Sequence, residues 1–387
     1  MSITKIDKEY VANTYARFPV EIVKGEGSFL YDTNGKEYID MGSGIGVTAF
    51  GFNDKVWTTA VTEQLLKVQH TSNLYYTEPC AKLAEALCLK TGMKKVFFAN
   101  SGAEANECLI KVARKYASDK KGSDYNVIVT LKNSFHGRTL TTLSATGQDK
   151  FHEHFQPLTP GFAYANANDI DSVKEIVNSH KVCGILIECV QGEGGVIALE
   201  KDFVQGIEQI CKQKDILLLV DEVQAGNGRT GKLYAYMNYG ISPDVVSTAK
   251  GLGGGLPIGA VLMNEKTEKV LSFGDHGSTF GGNPVCASGA LSIINRLDED
   301  FLNEVNEKSQ FIFDKLSNAK GVLSVTGMGL MIGIKTERSA KEVISECIDE
   351  GVLCLSAKDK VRLLPALNIP MNVLEKAIEI LLKVIAK

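Results

Sequence analysis

The chain has 387 residues, 44% hydrophobic and 23% charged, with a formal net charge of -4. This is the balance of an ordinary globular protein with room for two or three domains, and it leaves no basic footprint for a nucleic acid. Nine cysteines without a C-x-x-C pair argue against a disulfide framework, and six histidines, of which His152 and His154 stand nearest each other, show no metal-ligand spacing, so no metal is expected.

At the N-terminus, "MSITKIDKEYVANTYARF" lacks the apolar core of a signal peptide, and no run of 18 apolar residues follows anywhere. The expectation is a cytoplasmic protein without membrane contact. "GSGIGVTAFGF" (42–52) reads as a loop whose glycines permit close backbone approach. Six short runs rich in Val, Ile and Leu then read as strands buried on both faces: 94–100, 126–131, 183–190, 216–223, 243–249 and 258–263. Helix-period segments such as "SGAEANECLIKVARKYA", "DIDSVKEIVNSH" and "KDFVQGIEQICKQ" lie between them, the alternation that builds an α/β sheet with helices on its faces. After a helical stretch to about residue 318, "GLMIGIKT", "GVLCLSA" and "KVRLLPAL" read as shorter strands of a smaller α+β domain. A closing amphipathic helix carries Val373, Leu374, Ala377, Ile378, Leu381 and Ile385 on one face.

The run 216–223 ends in Asp221 and leads into Gly226-Asn-Gly228-Arg-Thr-Gly231, a G-x-G-x-x-G pattern. A dinucleotide loop would open the first strand–helix unit and place a helix beneath the pyrophosphate. Here the strand lies deep in the chain, and "DEV" puts two carboxylates where a pyrophosphate would sit, which weakens an NAD(P) reading without removing it. A carboxylate at a strand's carboxyl end faces the ligand crevice of such a sheet and needs a cationic partner, either an Arg or Lys side chain or a protonated ring nitrogen. Lys250, at the end of the next strand and followed by "GLGGGLPIGA", is either a solvated strand-end lysine or an amine poised to bond an aldehyde. Ser101 and Glu104 fit a helix capping box, and Ser101, Gly102 and Ala103 at a helix start also suit a phosphate. Phe135 is either core or a stacking ring, and Arg138 either a surface charge or a carboxylate clamp.

"NSGAEAN", "FHGRT", "ECVQGEGG", "VDEVQAGNGRTG", "TAKGLGGGLPIGA" and "HGSTFGGNP", in this order, resemble the class III aminotransferases among the fold type I pyridoxal-phosphate (PLP) enzymes, from about residue 12 to the C-terminus. The resemblance implies an α/β fold with a large domain (56–283) built on a mainly parallel seven-stranded sheet flanked by helices. It also implies a small α+β domain from residues 1–55 and 284–387. It implies PLP as cofactor, with Lys250 forming the covalent link and moving the proton, Asp221 at the ring nitrogen, Gln224 at the phenolic oxygen and Phe135 on the ring. Ser101, Gly102 and Ala103 would hold the phosphate. Thr279 would reach the phosphate of a neighbouring subunit, making a homodimer with shared sites.

Arg138 and Arg362 would bind substrate carboxylates, Glu193 would pair with Arg362 when the amine donor is present, and Tyr15 and Ser278 would line the substrate pocket. Within the family the likeness is greatest to members that move the terminal amine of N2-acetylornithine to 2-oxoglutarate in arginine biosynthesis. Ornithine, succinylornithine, N-succinyl-diaminopimelate and 4-aminobutyrate are the alternative donors, and a decarboxylase or aminomutase the alternative chemistry. Cys189 and Ala225 stand where many relatives carry proline and threonine, and Ile45 where ornithine-specific relatives carry tyrosine, which speaks against free ornithine.

Overall fold

The computed structural model describes residues 2–387. After a short helix, Ile3–Tyr10, come three antiparallel strands, β1 (Ile22–Glu26), β2 (Phe29–Asp32) and β3 (Glu37–Asp40). The central sheet follows, with β4 (Lys95–Ala99), β5 (Val127–Leu131), β6 (Phe162–Ala165) and β7 (Val182–Ile187). A two-stranded hairpin, β8 (Val190–Gln191) and β9 (Ile197–Ala198), interrupts it before β10 (Leu217–Asp221), β11 (Val245–Thr248) and β12 (Gly259–Met263) complete it. The seven strands lie in the order β4-β12-β11-β10-β7-β5-β6, all pairs parallel except those made by β12.

The six apolar runs read from the sequence are six of these strands. Every residue of β7, β10, β11 and β12 is buried, because helices cover both faces, and the strands accordingly lack polar alternation. The helix Gly102–Lys121 turns nine side chains inward, among them Leu109, Ile110 and Val112, onto a cluster with Ile128, Leu186, Leu217, Leu219 and Val261 from four strands of the sheet. The opposite face carries the larger cluster, with Ile185, Ile187, Leu218 and Val220 packed among helices such as Lys201–Lys214.

The C-terminal part folds as a four-stranded sheet in the order β13-β14-β17-β16, from β13 (Val322–Met328), β14 (Met331–Thr336), β16 (Leu355–Ala357) and β17 (Lys360–Leu363). The strand β15 (Val352–Leu353) leaves that sheet and pairs in parallel with Ile39 and Asp40 of β3, so the two ends of the chain share a sheet. The amphipathic helix expected at the C-terminus spans Met371–Ile385 and buries Leu374, Ala377, Ile378, Leu381, Val384 and Ile385. Residues 42–52 form no strand, as expected, but hold a tight turn, Ser43–Gly46, with left-handed backbone. Among the described residues no helix is long and apolar enough to cross a membrane, and no group of metal-binding side chains is assembled.

Candidate active site

The carboxyl ends of β4, β5, β7, β10 and β11 open into one cavity of about 650 Å³. It lies where the chain's path through the sheet reverses, the position at which open α/β sheets bind ligands. Tyr15, Ser101, Gly102, Ala103, Phe135, Arg138, Asp221, Gln224 and Lys250 all line it.

Asp221 ends β10 and is only 4% exposed. Its Oδ2 accepts from Asn106 Nδ2 at 2.7 Å and from the Nδ1 of His136 at 2.9 Å, while Oδ1 accepts the amide of Val223 at 2.9 Å. Asn106 also donates to the carbonyl of His136 and accepts from Ser247 Oγ at 2.6 Å, and Ser247 is the register partner of Asp221 on β11. This chain of buried donors replaces water around the side chain and fixes its direction into the cavity. Asn106, His136 and Glu188 sit within motifs quoted from the sequence, yet none was assigned a role there.

Glu188 follows β7, lines the cavity and accepts the amide of Phe135 at 2.8 Å, fixing the loop that presents the ring. Burial, with Asp221 beside it, pushes its carboxyl well above the usual range.

Lys250 follows β11 by two residues, in a left-handed conformation with φ 46°. Such backbone is costly for a residue with a side chain and marks places where the surroundings impose it. Burial lowers the amine below the usual lysine pKa; the negative charge of Glu193 opposes the shift and Arg362 adds to it. Among the described residues the amine makes no hydrogen bond or ion pair. A desolvated, unpaired amine is a nucleophile in waiting.

Arg362, on β17 of the C-terminal sheet, is 4% exposed. Its Nη1 donates to Glu193 Oε1 at 2.6 Å and to Gln224 Oε1 at 3.1 Å, and its buried Nε has no partner among the described residues. Gln224 Nε2 also reaches Glu193 Oε1 at 3.3 Å. Burial raises the Glu193 carboxyl, but the charge and hydrogen bond of Arg362 outweigh it and leave the carboxyl below its ordinary pKa. Arg138 stands at the exposed mouth, its guanidinium 4.3 Å from the ring centre of Phe151 and 5.6 Å from that of Phe135.

Ser101 caps the helix Gly102–Lys121: its Oγ accepts the amide of Glu104 and donates to that carboxylate, whose Oε2 also takes the amide of Asn100. Ser101 therefore caps the helix, but the box is not reciprocal, since Glu104 takes the amide of Asn100 in place of that of Ser101, and the helix start still faces the cavity with its positive end. Ser278 and Thr279 are not brought to this cavity. Ser278 accepts from Asn100 Nδ2 at 3.2 Å and lines a separate groove with Tyr76, Phe97 and Phe273, and Thr279 is exposed beside it.

A family model for aminotransferase class III matches residues 10–385. The chain belongs to the class III aminotransferases. It is 47% identical to an acetylornithine aminotransferase from Haemophilus ducreyi, over 100% of this chain and 98% of that one. It is 44% identical to a succinylornithine transaminase from Citrobacter koseri, over 95% and 93% of the two chains. The fold superposes with TM-score 0.94 on an ornithine aminotransferase from Toxoplasma gondii with partial occupancy of PLP at its active site, at 28% identity over 99% of this chain and 93% of that one.

In this class III aminotransferase, "GNGRTG" is a brace. A 3₁₀ turn, Ala235–Asn238, follows the loop instead of a helix. Its Arg229 is 2% exposed and donates to the carbonyls of Leu330 (3.2 Å) and Pro365 (2.5 Å), tying the central sheet to the C-terminal one. Burial lowers this guanidinium to about 9, with the Asp40 carboxylate working in the other direction.

Proposed function

We propose that the protein binds PLP and moves the terminal amine of N2-acetylornithine to 2-oxoglutarate, giving N-acetylglutamate 5-semialdehyde and glutamate, a step of arginine biosynthesis. The cavity fits an aldehyde-bearing pyridine phosphate: a free desolvated amine at Lys250, a buried carboxylate at Asp221, an aromatic face at Phe135 and a helix start at Ser101, Gly102 and Ala103 converge on it. When bound, PLP supplies an aldehyde that condenses with amines and a ring that draws off electron density.

The protein's part is to hold and orient. Asp221 would keep the ring nitrogen protonated, Gln224 would bond the phenolic oxygen, and Lys250 would take a proton from the substrate carbon that bears the amine and pass it to the carbon of the cofactor that carried the aldehyde. Thr279 of a second copy would close the phosphate site, which makes the working form a homodimer. The nine cysteines are all unpaired, which suits a reducing cytoplasm.

The observation that carries the reading is the Arg362–Glu193 pair, which is hydrogen-bonded to Gln224 of the cavity wall. With the pair closed the Arg362 guanidinium is engaged by Glu193, which suits a donor entering by its distal amine; with the pair open Arg362 would receive the α-carboxylate of 2-oxoglutarate. Arg138 at the mouth would take the other carboxylate.

The likeness to the Citrobacter succinylornithine transaminase favours one second reading, in which the acyl group is succinyl. The test is an absorbance titration of the purified, PLP-loaded protein with each amine and no keto acid. Bleaching of the cofactor band at the lowest concentration by N2-acetylornithine supports the proposal. Tighter response to N2-succinylornithine, ornithine or 4-aminobutyrate reassigns the donor, and absence of any band removes the reading of Lys250.

A further inference from the structure

Four consecutive residues, Ser43, Gly44, Ile45 and Gly46, have φ of 48°, 60°, 67° and 72°. Left-handed backbone comes freely to glycine, but each residue with a Cβ disfavours it by roughly 5- to 30-fold, and successive left-handed residues are rare. Ser43 and Ile45 must therefore be held. The turn closes on itself through the amides of Ile45 and Gly46 to the carbonyl of Gly42 and those of Val47 and Thr48 to that of Ser43.

Its entry is gripped by one side chain, Asp40 at the end of β3, 6% exposed. Oδ1 takes the amides of Gly42 at 2.8 Å and Ser43 at 3.1 Å, and Oδ2 takes Ser43 again at 3.0 Å. The nearby charge is Arg229, held in place by the carbonyls of Leu330 and Pro365 and lying against Gly46, where a Cβ would come within 3.9 Å of its Nε.

The far side of the turn meets the reactive lysine. The carbonyl of Gly46 is 3.5 Å from where a Cβ on Gly251 would stand, and Gly251 directly follows the left-handed Lys250. Val47, the next residue out of the turn, lines the cavity with Lys250. Two strained segments thus abut, and Asp40 is joined to the amine only through them. We propose that Asp40 is a positioning residue for the reaction, holding the turn Ser43–Gly46 in its left-handed form so that it buttresses the backbone carrying Lys250. Asp40 does not touch the reacting atoms, and the inference rests on the role given to Lys250 above.

The test uses the PLP-loaded enzyme with Asp40→Ala and Asp40→Asn, each alone and combined with Ser43→Gly. Glycine takes the left-handed form without help, and the Ser43 hydroxyl is buried with no partner, so its loss removes no hydrogen bond. Amide hydrogen exchange over residues 42–47 and steady-state kcat and KM are read together. Expected for Asp40→Ala is exchange about tenfold faster over 42–47 with the central sheet unchanged, a fall in kcat of about tenfold at nearly constant KM, and recovery of both on adding Ser43→Gly. Asp40→Asn keeps an acceptor oxygen, should fold even where alanine does not, and should fall between. A lowered melting temperature with unchanged exchange over 42–47, or a Ser43→Gly that restores stability but not kcat, overturns the proposal. Lys250→Ala is measured alongside: normal turnover in that variant discards the role of Lys250, while the exchange data still judge the grip of Asp40.

Discussion

Glu193→Gln should separate the two halves of the reaction. The carboxylate is paired with Arg362 by a charge-assisted hydrogen bond of 2.6 Å, with the guanidinium side chain 5% and the carboxylate side chain 30% exposed. Hydrogen bonds to charged groups contribute about 1.5–3 kcal/mol, and partial solvent access at Glu193 places this one near the lower figure. An incoming α-carboxylate must break that pair, and a neutral amide competes less for the guanidinium. The variant should therefore bind 2-oxoglutarate about tenfold more tightly, with little change for N2-acetylornithine. The assay is a pair of stopped-flow half-reactions, the amine-loaded enzyme against 2-oxoglutarate and the aldehyde-loaded enzyme against N2-acetylornithine. Equal shifts in both half-reactions, or weaker 2-oxoglutarate binding, would refute the idea that Glu193 and the acceptor compete for Arg362.

Lys250→Ala should lower turnover by about 10²–10⁴, the usual worth of a positioned general acid–base, measured by single-turnover kinetics with PLP supplied in excess; activity within a few fold of the parent would contradict the placement of that amine. Glu222, fully buried and bonded to the amides of Ala235 and Tyr236, is raised by burial to about 8 from an ordinary 4.5. The folded protein keeps that proton where the unfolded chain has lost it, so the group's contribution to stability is full below pH 4.5 and drains away as pH rises through 8, at about 1.4 kcal/mol per pH unit. Glu222→Gln should flatten the dependence of unfolding midpoint on pH between 5 and 8; a slope equal to the parent's would show the carboxyl does not titrate as described.

The sequence made the central sheet legible because β7, β10, β11 and β12 are buried on both faces and have no polar residue to break the run until the functional end. It was silent on β1, β2, β6 and β13, whose residues are largely half-buried or exposed, so their patterns do not stand out from loops, and on β3, whose buried run is only three residues long. Lys250 and Asp221 were readable as strand-end polar residues. Asn106 was not: it sits on the buried face of a long helix, and only its 2.7 Å approach to Asp221, 115 positions away, gives it meaning. The same holds for His136 and Glu188, buried polar residues, where being buried is itself the signal but is not visible until the chain is folded. Ser278 lies away from this chain's own cavity, in a separate groove, with Thr279 exposed beside it.

The parallel pairing of β3 with β15 bears on how the molecule is made. Ile39 and Asp40 find their strand partners at Val352 and Leu353, and Met41 and Ala49 accept hydrogen bonds from the amides of Leu364 and Leu367. On the ribosome, at about 5–20 residues per second, roughly 15–60 s separates the emergence of one edge from the other. Through that interval the central sheet can form while one wall of the cavity stays open, and the nascent chain exposes an unpaired strand edge that a chaperone or a neighbouring polypeptide can reach. The strand and turn that end in the cavity wall find their partners only once residues 352–367 have been made.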